Sequence, residues 1–259
     1  MAIKYESKNK SIDNIIHKVQ NPQKDLAYDL FVKADALRLN EYYKESIKHY
    51  LNSLLIKRNN PRTYYGLGMS YKYIKEYEKA ISAFEKAKNL SQFDAKIHYE
   101  LGICYLVTGC FCKAIKHLVN SIKLNPDNIE AQIQLAITHE MIEENELALM
   151  IYQKIIETNP SYIRAYAQKA ALYMNLECFF EAAEVFREIL KINPDYYRAY
   201  LGIGICYDKL LKPTSALRYY KKFKDLKPNS KNKHDVNNRI ANIKREFFGK
   251  NSTLKLVCV

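Results

Sequence analysis

The 259-residue chain is 48% hydrophobic and 27% charged, a balance that excludes a disordered polymer and supports a buried core. Seven Gly and seven Pro leave room only for short loops, which excludes a collagen-like repeat and disfavours a turn-rich sandwich. Forty-one Lys and Arg against 28 Asp and Glu give +13, a charge that suits anionic partners without naming one.

Met1 to Ser11 is polar and lysine-rich with no apolar run behind it, so no secretory leader is expected. Ile12, Ile15, Ile16 and Val19 follow the i, i+3, i+4, i+7 rule and predict a short amphipathic helix within an N-terminal extension, residues 1–26. From Ala27 the chain repeats with a period of 34 residues, with further periods opening at Pro61, Ala95, Ile129, Ile163 and Tyr197 and the last closing at Ser230. The eighth position is always small (Ala34, Gly68, Gly102, Ala136, Ala170, Gly204). The twentieth is Ser46 and then alanine five times, and the twenty-fourth is always bulky (Tyr50, Phe84, Leu118, Tyr152, Phe186, Tyr220). Proline stands at the thirty-second position in the last four periods.

Positions 4, 8 and 11 share one face of a first helix, and positions 20, 24 and 27 share one face of a second. A small residue at 8 opposite alanine at 20 lets the two backbones cross closely, and proline at 32 ends the second helix. Each hairpin must stack on its neighbours to bury its faces. After the periods, Val236, Ile240, Ile243 and Phe247 predict a capping helix over 231–248, followed by an apolar tail, 249–259. For that tail two readings stand: a loosely ordered terminus, or an internal ligand that folds back into a groove.

These positions resemble the tetratricopeptide repeat, whose signature carries small, aromatic, alanine and proline residues at this spacing. The resemblance covers residues 27–230 as six copies, the first being the most divergent. It implies an all-α fold, a right-handed superhelical solenoid of helix-turn-helix repeats, with a concave groove lined by the first helices.

Positions 2, 5, 9, 12 and 13 of each period lie about 140° around the first helix from the hairpin contact. They provide the expected peptide-binding groove: Arg62, Tyr65 and Met69 from the second period, Lys96 and Tyr99 from the third, and Arg164 and Arg198 extending a basic rim. Ile103, Ile137 and Ile205 share these positions, and core packing is expected of them rather than ligand contact. The expected partner is an acidic or amphipathic segment of another protein. Family members that grip the acidic tails of chaperones carry a set of Lys, Asn and Arg residues at defined slots. The slots here hold Phe31, Asp35, Gly66, Lys96 and Glu100, which argues against that partner.

Charge is uneven: residues 1–128 carry +8, 129–196 carry −6 and 197–259 carry +11. Arg218, Lys221, Lys222, Lys224 and Lys227 form a basic ridge. The alternative function is therefore a basic accessory protein docking its C-terminal end on RNA or an anionic membrane surface. No cofactor, metal site or catalytic constellation is expected. Cys110-Phe111-Cys112 lacks a second ligand pair, and Gly66-Leu67-Gly68 and Gly202-Ile203-Gly204 fall inside helices rather than after strands. The six cysteines do not read as a disulfide framework, and no stretch is long and apolar enough to cross a bilayer. The expectation is a non-catalytic, cytoplasmic protein-protein interaction scaffold.

Overall fold

The computed structural model describes residues 22–91 and 94–249; the helix expected at 11–20 and the tail at 250–259 lie outside them. The described residues form thirteen helices and no strand: α1 (Pro22–Leu39), α2 (Tyr43–Ile56), α3 (Pro61–Tyr73), α4 (Tyr77–Leu90), α5 (Ala95–Val107), α6 (Phe111–Leu124), α7 (Ile129–Met141), α8 (Asn145–Thr158), α9 (Ile163–Asn175), α10 (Phe179–Ile192), α11 (Tyr197–Lys209), α12 (Pro213–Leu226) and α13 (Lys233–Phe248). The fold is all-α, a helical-repeat solenoid. It divides into two compact units, one up to Thr138 and one from His139. Successive helices pack against one another along α1 to α6 in the first unit and along α8 to α13 in the second.

The turns between paired helices are built alike. The fifteenth residue of each period has positive φ, between 54° and 75°: Glu41, Lys75, Gly109, Glu143, Glu177 and Leu211. The next residue's N–H donates to the carbonyl five residues back, as in Tyr42 to Leu37 at 2.9 Å, Cys110 to Tyr105 at 2.8 Å and Lys212 to Tyr207 at 2.9 Å. The fifteenth N–H donates to the carbonyl three residues back, as in Lys75 to Lys72 at 3.0 Å. Together these are the two hydrogen bonds of a Schellman motif, which satisfies the last carbonyls of the first helix and reverses the chain. At the other end, Asn60 and Asp94 cap α3 and α5, accepting from Arg62 N at 3.1 Å and Lys96 N at 2.9 Å, with Pro61 pre-set at the first position of α3.

The core follows one pattern in both units. In the first, Ala80, Phe84 and Ala87 of α4 bury against Met69 of α3 and against Ile97, Leu101 and Cys104 of α5. In the second, Ala182, Phe186 and Ile189 of α10 meet Ala170 of α9 and Ala199, Ile203 and Cys206 of α11. Each second helix is thus shared between its own first helix and the next one. Val236 and Ile243 of α13 close the pattern against Ala216, Tyr220 and Phe223 of α12.

A polar cluster is embedded between α4, α5 and α6. His117 Nδ1 lies 3.1 Å from His98 Nδ1, its Nε2 is 3.6 Å from Glu85, and its ring stacks on Tyr105 at 5.5 Å. Burial holds the His117 imidazole down at about 4, with nearby His98, Lys88 and Lys116 adding to that effect and Glu85 opposing it.

Two outcomes follow from these features. Leu211→Gly removes a bulky left-handed residue and is expected to stabilise the chain by about 1 kcal/mol in urea unfolding; a loss of stability would contradict the turn assignment. The unfolded chain protonates His117 near pH 6.5 and the folded chain only near pH 4, so stability falls as pH drops through that window. The loss reaches as much as ~3 kcal/mol, and His117→Phe is expected to flatten the pH dependence of the melting temperature there.

Candidate functional site

In the first unit, α1, α3 and α5 enclose a cleft of about 470 Å³. Three of the residues singled out from the sequence, Arg62, Tyr65 and Lys96, line it together, with Phe31, Asp35 and Arg38. Asn60 and Asp94 explain the placement of the two cations, because each caps a helix whose second residue is Arg62 or Lys96. Both cations are exposed and neither makes an ion pair among the described residues. Tyr65 is half-buried with its ring 5.7 Å from Phe84, and burial, then the negative charges of Glu100 and Asp94, hold its hydroxyl above the usual tyrosine range.

The other candidates are placed differently. Met69 is packed in the core with Phe84 and Leu101 and does not line the cleft. Tyr99 is half-buried on α5, outside the cleft lining. Arg164 and Arg198 stand exposed on the first turns of α9 and α11 in the second unit.

Asp35 and Arg38 are cleft residues that the sequence reading missed. Arg38 Nη2 donates to Asp35 Oδ1 at 2.6 Å, and the buried Tyr50 hydroxyl donates to the same oxygen at 2.9 Å. Burial works against the Arg38 charge, but the bonds to Asp35 and Tyr50 outweigh it and hold the guanidinium above its ordinary value. The same device recurs in the second unit. Tyr220 donates to Asp208 Oδ2 at 3.2 Å, and Arg239 of α13 grips both Asp208 oxygens at 2.6 and 2.7 Å. Tyr152 donates to Glu140 at 2.5 Å. A signal for this existed: the three periods with tyrosine at position 24 carry an acid at position 9 or 12, and the three with Phe or Leu there do not.

The second unit has its own cleft, about 620 Å³, between α11, α12 and α13, lined by Leu201, Ile205, Asp208, Val236 and Arg239 among others. Ile205, expected to be core, is half-buried: it packs against the cluster of Tyr220, Phe223, Val236 and Ile243 and also contributes to this lining.

Among the described residues no group of three or more His, Cys, Asp and Glu could hold a metal ion. Burial pushes the Cys104 thiol up to about 12 and the Cys206 thiol to about 11, which makes both poor nucleophiles. No described helix is long and apolar enough to cross a membrane.

Models of the tetratricopeptide repeat match residues 61–94, 163–196 and 198–230, in register with the second, fifth and sixth periods. The chain is a tetratricopeptide repeat protein. Solved structures agree on the fold of this repeat protein. YrrB, described as a TPR protein with an unusual peptide-binding site, is 20% identical, with a TM-score of 0.56 over 74% of this chain and 97% of its own. PilF of Pseudomonas aeruginosa is 13% identical, with a TM-score of 0.62 over 84% and 99%. MamA of strain MSR-1 is 26% identical, with a TM-score of 0.51 over 64% and 95%. A search of the curated proteins returns no significant match.

Proposed function

We propose that this repeat protein is a non-catalytic interaction scaffold, working in a reducing, cytoplasmic compartment, whose α1–α3–α5 cleft holds an acidic or amphipathic segment of a partner protein. The observation that carries this reading is the convergence of Arg62, Lys96 and Tyr65 on one cleft. Two exposed cations without ion pairs among the described residues flank an apolar floor of Phe31 and Tyr65. The cleft's own acids are occupied: Asp35 by Arg38 and Tyr50, and Asp94 by the backbone of α5. A ligand carboxylate therefore meets positive charge that nothing in the cleft neutralises, while an aromatic or aliphatic side chain beside it loses water against the two rings. In this reading Tyr99 extends the contact along α5 and Met69 supports Tyr65 from the core. The peptide-binding description of YrrB supports a ligand of this class for the fold.

The test uses surface residues that the core does not need. Wild-type protein and the Arg62→Glu, Lys96→Glu variant are used to capture partners from native lysate with nuclease present, and the captured protein is then titrated against both. A discrete protein bound by the wild type and weakened about tenfold or more by the variant is the expected result. Equal binding by both would remove the cleft from the function.

A further inference from the structure

A third cleft, about 440 Å³, opens in the second unit between α10, α11 and α12. It meets α11 at Tyr200 rather than at Leu201, Ile205 and Asp208, so it lies on a different face of that helix from the α13 cleft. One wall is Arg218, Lys221 and Lys222 of α12. These three are exposed, and none makes an ion pair among the described residues. Lys221 and Lys222, at i+3 and i+4, each stand about 5–6 Å from Arg218, one turn along the helix. Asp225 is the single acid among the lining residues.

The floor is aromatic. Tyr200 and Tyr219 line the cleft with ring centroids 6.3 Å apart at 35°, and Tyr219 continues to Tyr207 at 5.6 Å and 22°. Arg187 and Lys212 lie over the Tyr207 ring at 5.6 and 6.0 Å, extending the alternation of rings and cations. All of this belongs to a segment, residues 197–259, with a net charge of +11, apart from Arg187.

We propose that the cleft between α10, α11 and α12 is a binding surface for single-stranded nucleic acid, with Arg218, Lys221 and Lys222 facing the phosphates and Tyr200 and Tyr219 meeting the bases. A row of cations beside aromatic rings is what a single strand requires, because its charge runs along one edge and its bases project from the other. A duplex would hide its bases from the rings. An acidic peptide would use the cations, and competition by polyglutamate separates it from a single strand. An anionic bilayer presents a flat surface, which the recessed rings do not reach. This surface shares no residue with the cleft of the first unit, so it stands or falls independently of the peptide-binding reading.

The experiment is fluorescence anisotropy of a labelled oligouridylate of about twelve nucleotides, titrated with the full chain between about 50 and 200 mM salt. Wild type is compared with the Arg218→Gln, Lys221→Gln, Lys222→Gln variant, with Tyr200→Leu, and with Arg62→Glu, Lys96→Glu as a control. Circular dichroism confirms the helical content of each. Binding is expected with a log–log salt slope of about −2, as three phosphate contacts on a single strand require. The triple variant should lose tenfold or more, Tyr200→Leu about fivefold or more, and the control nothing. No binding at low salt, or a triple variant that binds like the wild type, would overturn the proposal. So would a Tyr200→Leu variant of undiminished affinity, polyglutamate competing as well as the oligonucleotide, or binding to phosphatidylserine vesicles in its absence; each marks the patch as a general polyanion or membrane contact.

Discussion

The stack depends on large side chains at position 24 lying on helix backbone that carries no side chain. A Cβ added to Gly68 would come within 2.7 Å of the Phe84 ring, one on Gly102 within 2.7 Å of Leu118, and one on Gly204 within 2.7 Å of Tyr220. Tyr50 and Phe186 instead press on Gly66 and Gly202, the sixth residue of the following period. Each of these five side chains has one glycine, either in its own hairpin or in the next. Position 8 is alanine in the first, fourth and fifth periods; in the first and fifth the glycine sits across the next interface, and in the fourth Tyr152 faces no glycine. The ring leans toward the backbone that is open, and in doing so sets which neighbour lies closest. Burying a side chain of this size is worth about 1.5–3 kcal/mol, so five such contacts supply a large part of the force holding the hairpins together.

The same position governs the polarity of the clefts. A buried tyrosine hydroxyl needs a partner, and at Tyr50 and Tyr220 that partner is an acid on a cleft wall, itself gripped by an arginine. The acids that could have made these clefts negative are thereby neutralised. Arg62 and Lys96 then dominate the first cleft. The pair Lys72 to Glu100, at 2.5 Å and largely buried, likewise ties α3 to α5 and keeps Glu100 from opposing them. The charge presented to a ligand is thus a consequence of how the core is satisfied.

Much of this was legible in the residues. The 34-residue period, the small eighth position and the bulky twenty-fourth position predicted the hairpins, because close helix crossing leaves few alternatives. The second-helix residues 80, 84 and 87 appeared as core for the same reason. What was less visible had no residue-type signature. The fifteenth position must be left-handed, yet only Gly109 advertises it; Lys75, Glu143 and Leu211 accept the strain because the Schellman bonds on either side over-determine the turn. Positions 3 and 7 bury against the preceding second helix, so Ile97 and Leu101 are core although they belong to neither hairpin face read from the sequence. Within the candidate site, Arg62, Tyr65 and Lys96 follow from helical phase alone. Met69 shares position 9 with Asp35 but packs in the core with Phe84, whereas Asp35 and Arg38, at positions 9 and 12 of the first period, line the cleft and are joined there to the Tyr50 hydroxyl.

The most direct test of this account is a double-mutant cycle in urea unfolding on Gly68→Ala and Phe84→Leu. Alanine is worth about 1 kcal/mol over glycine in an unobstructed helix, yet Gly68→Ala should destabilise the wild type by about 1–3 kcal/mol because the Phe84 ring cannot lean toward the next helix, where Glu100 stands. In the Phe84→Leu background the same change should be neutral or stabilising, giving a coupling of ~1 kcal/mol or more. Additive effects, or a Gly68→Ala variant more stable than wild type, would show that the ring-on-glycine contact does not hold the stack.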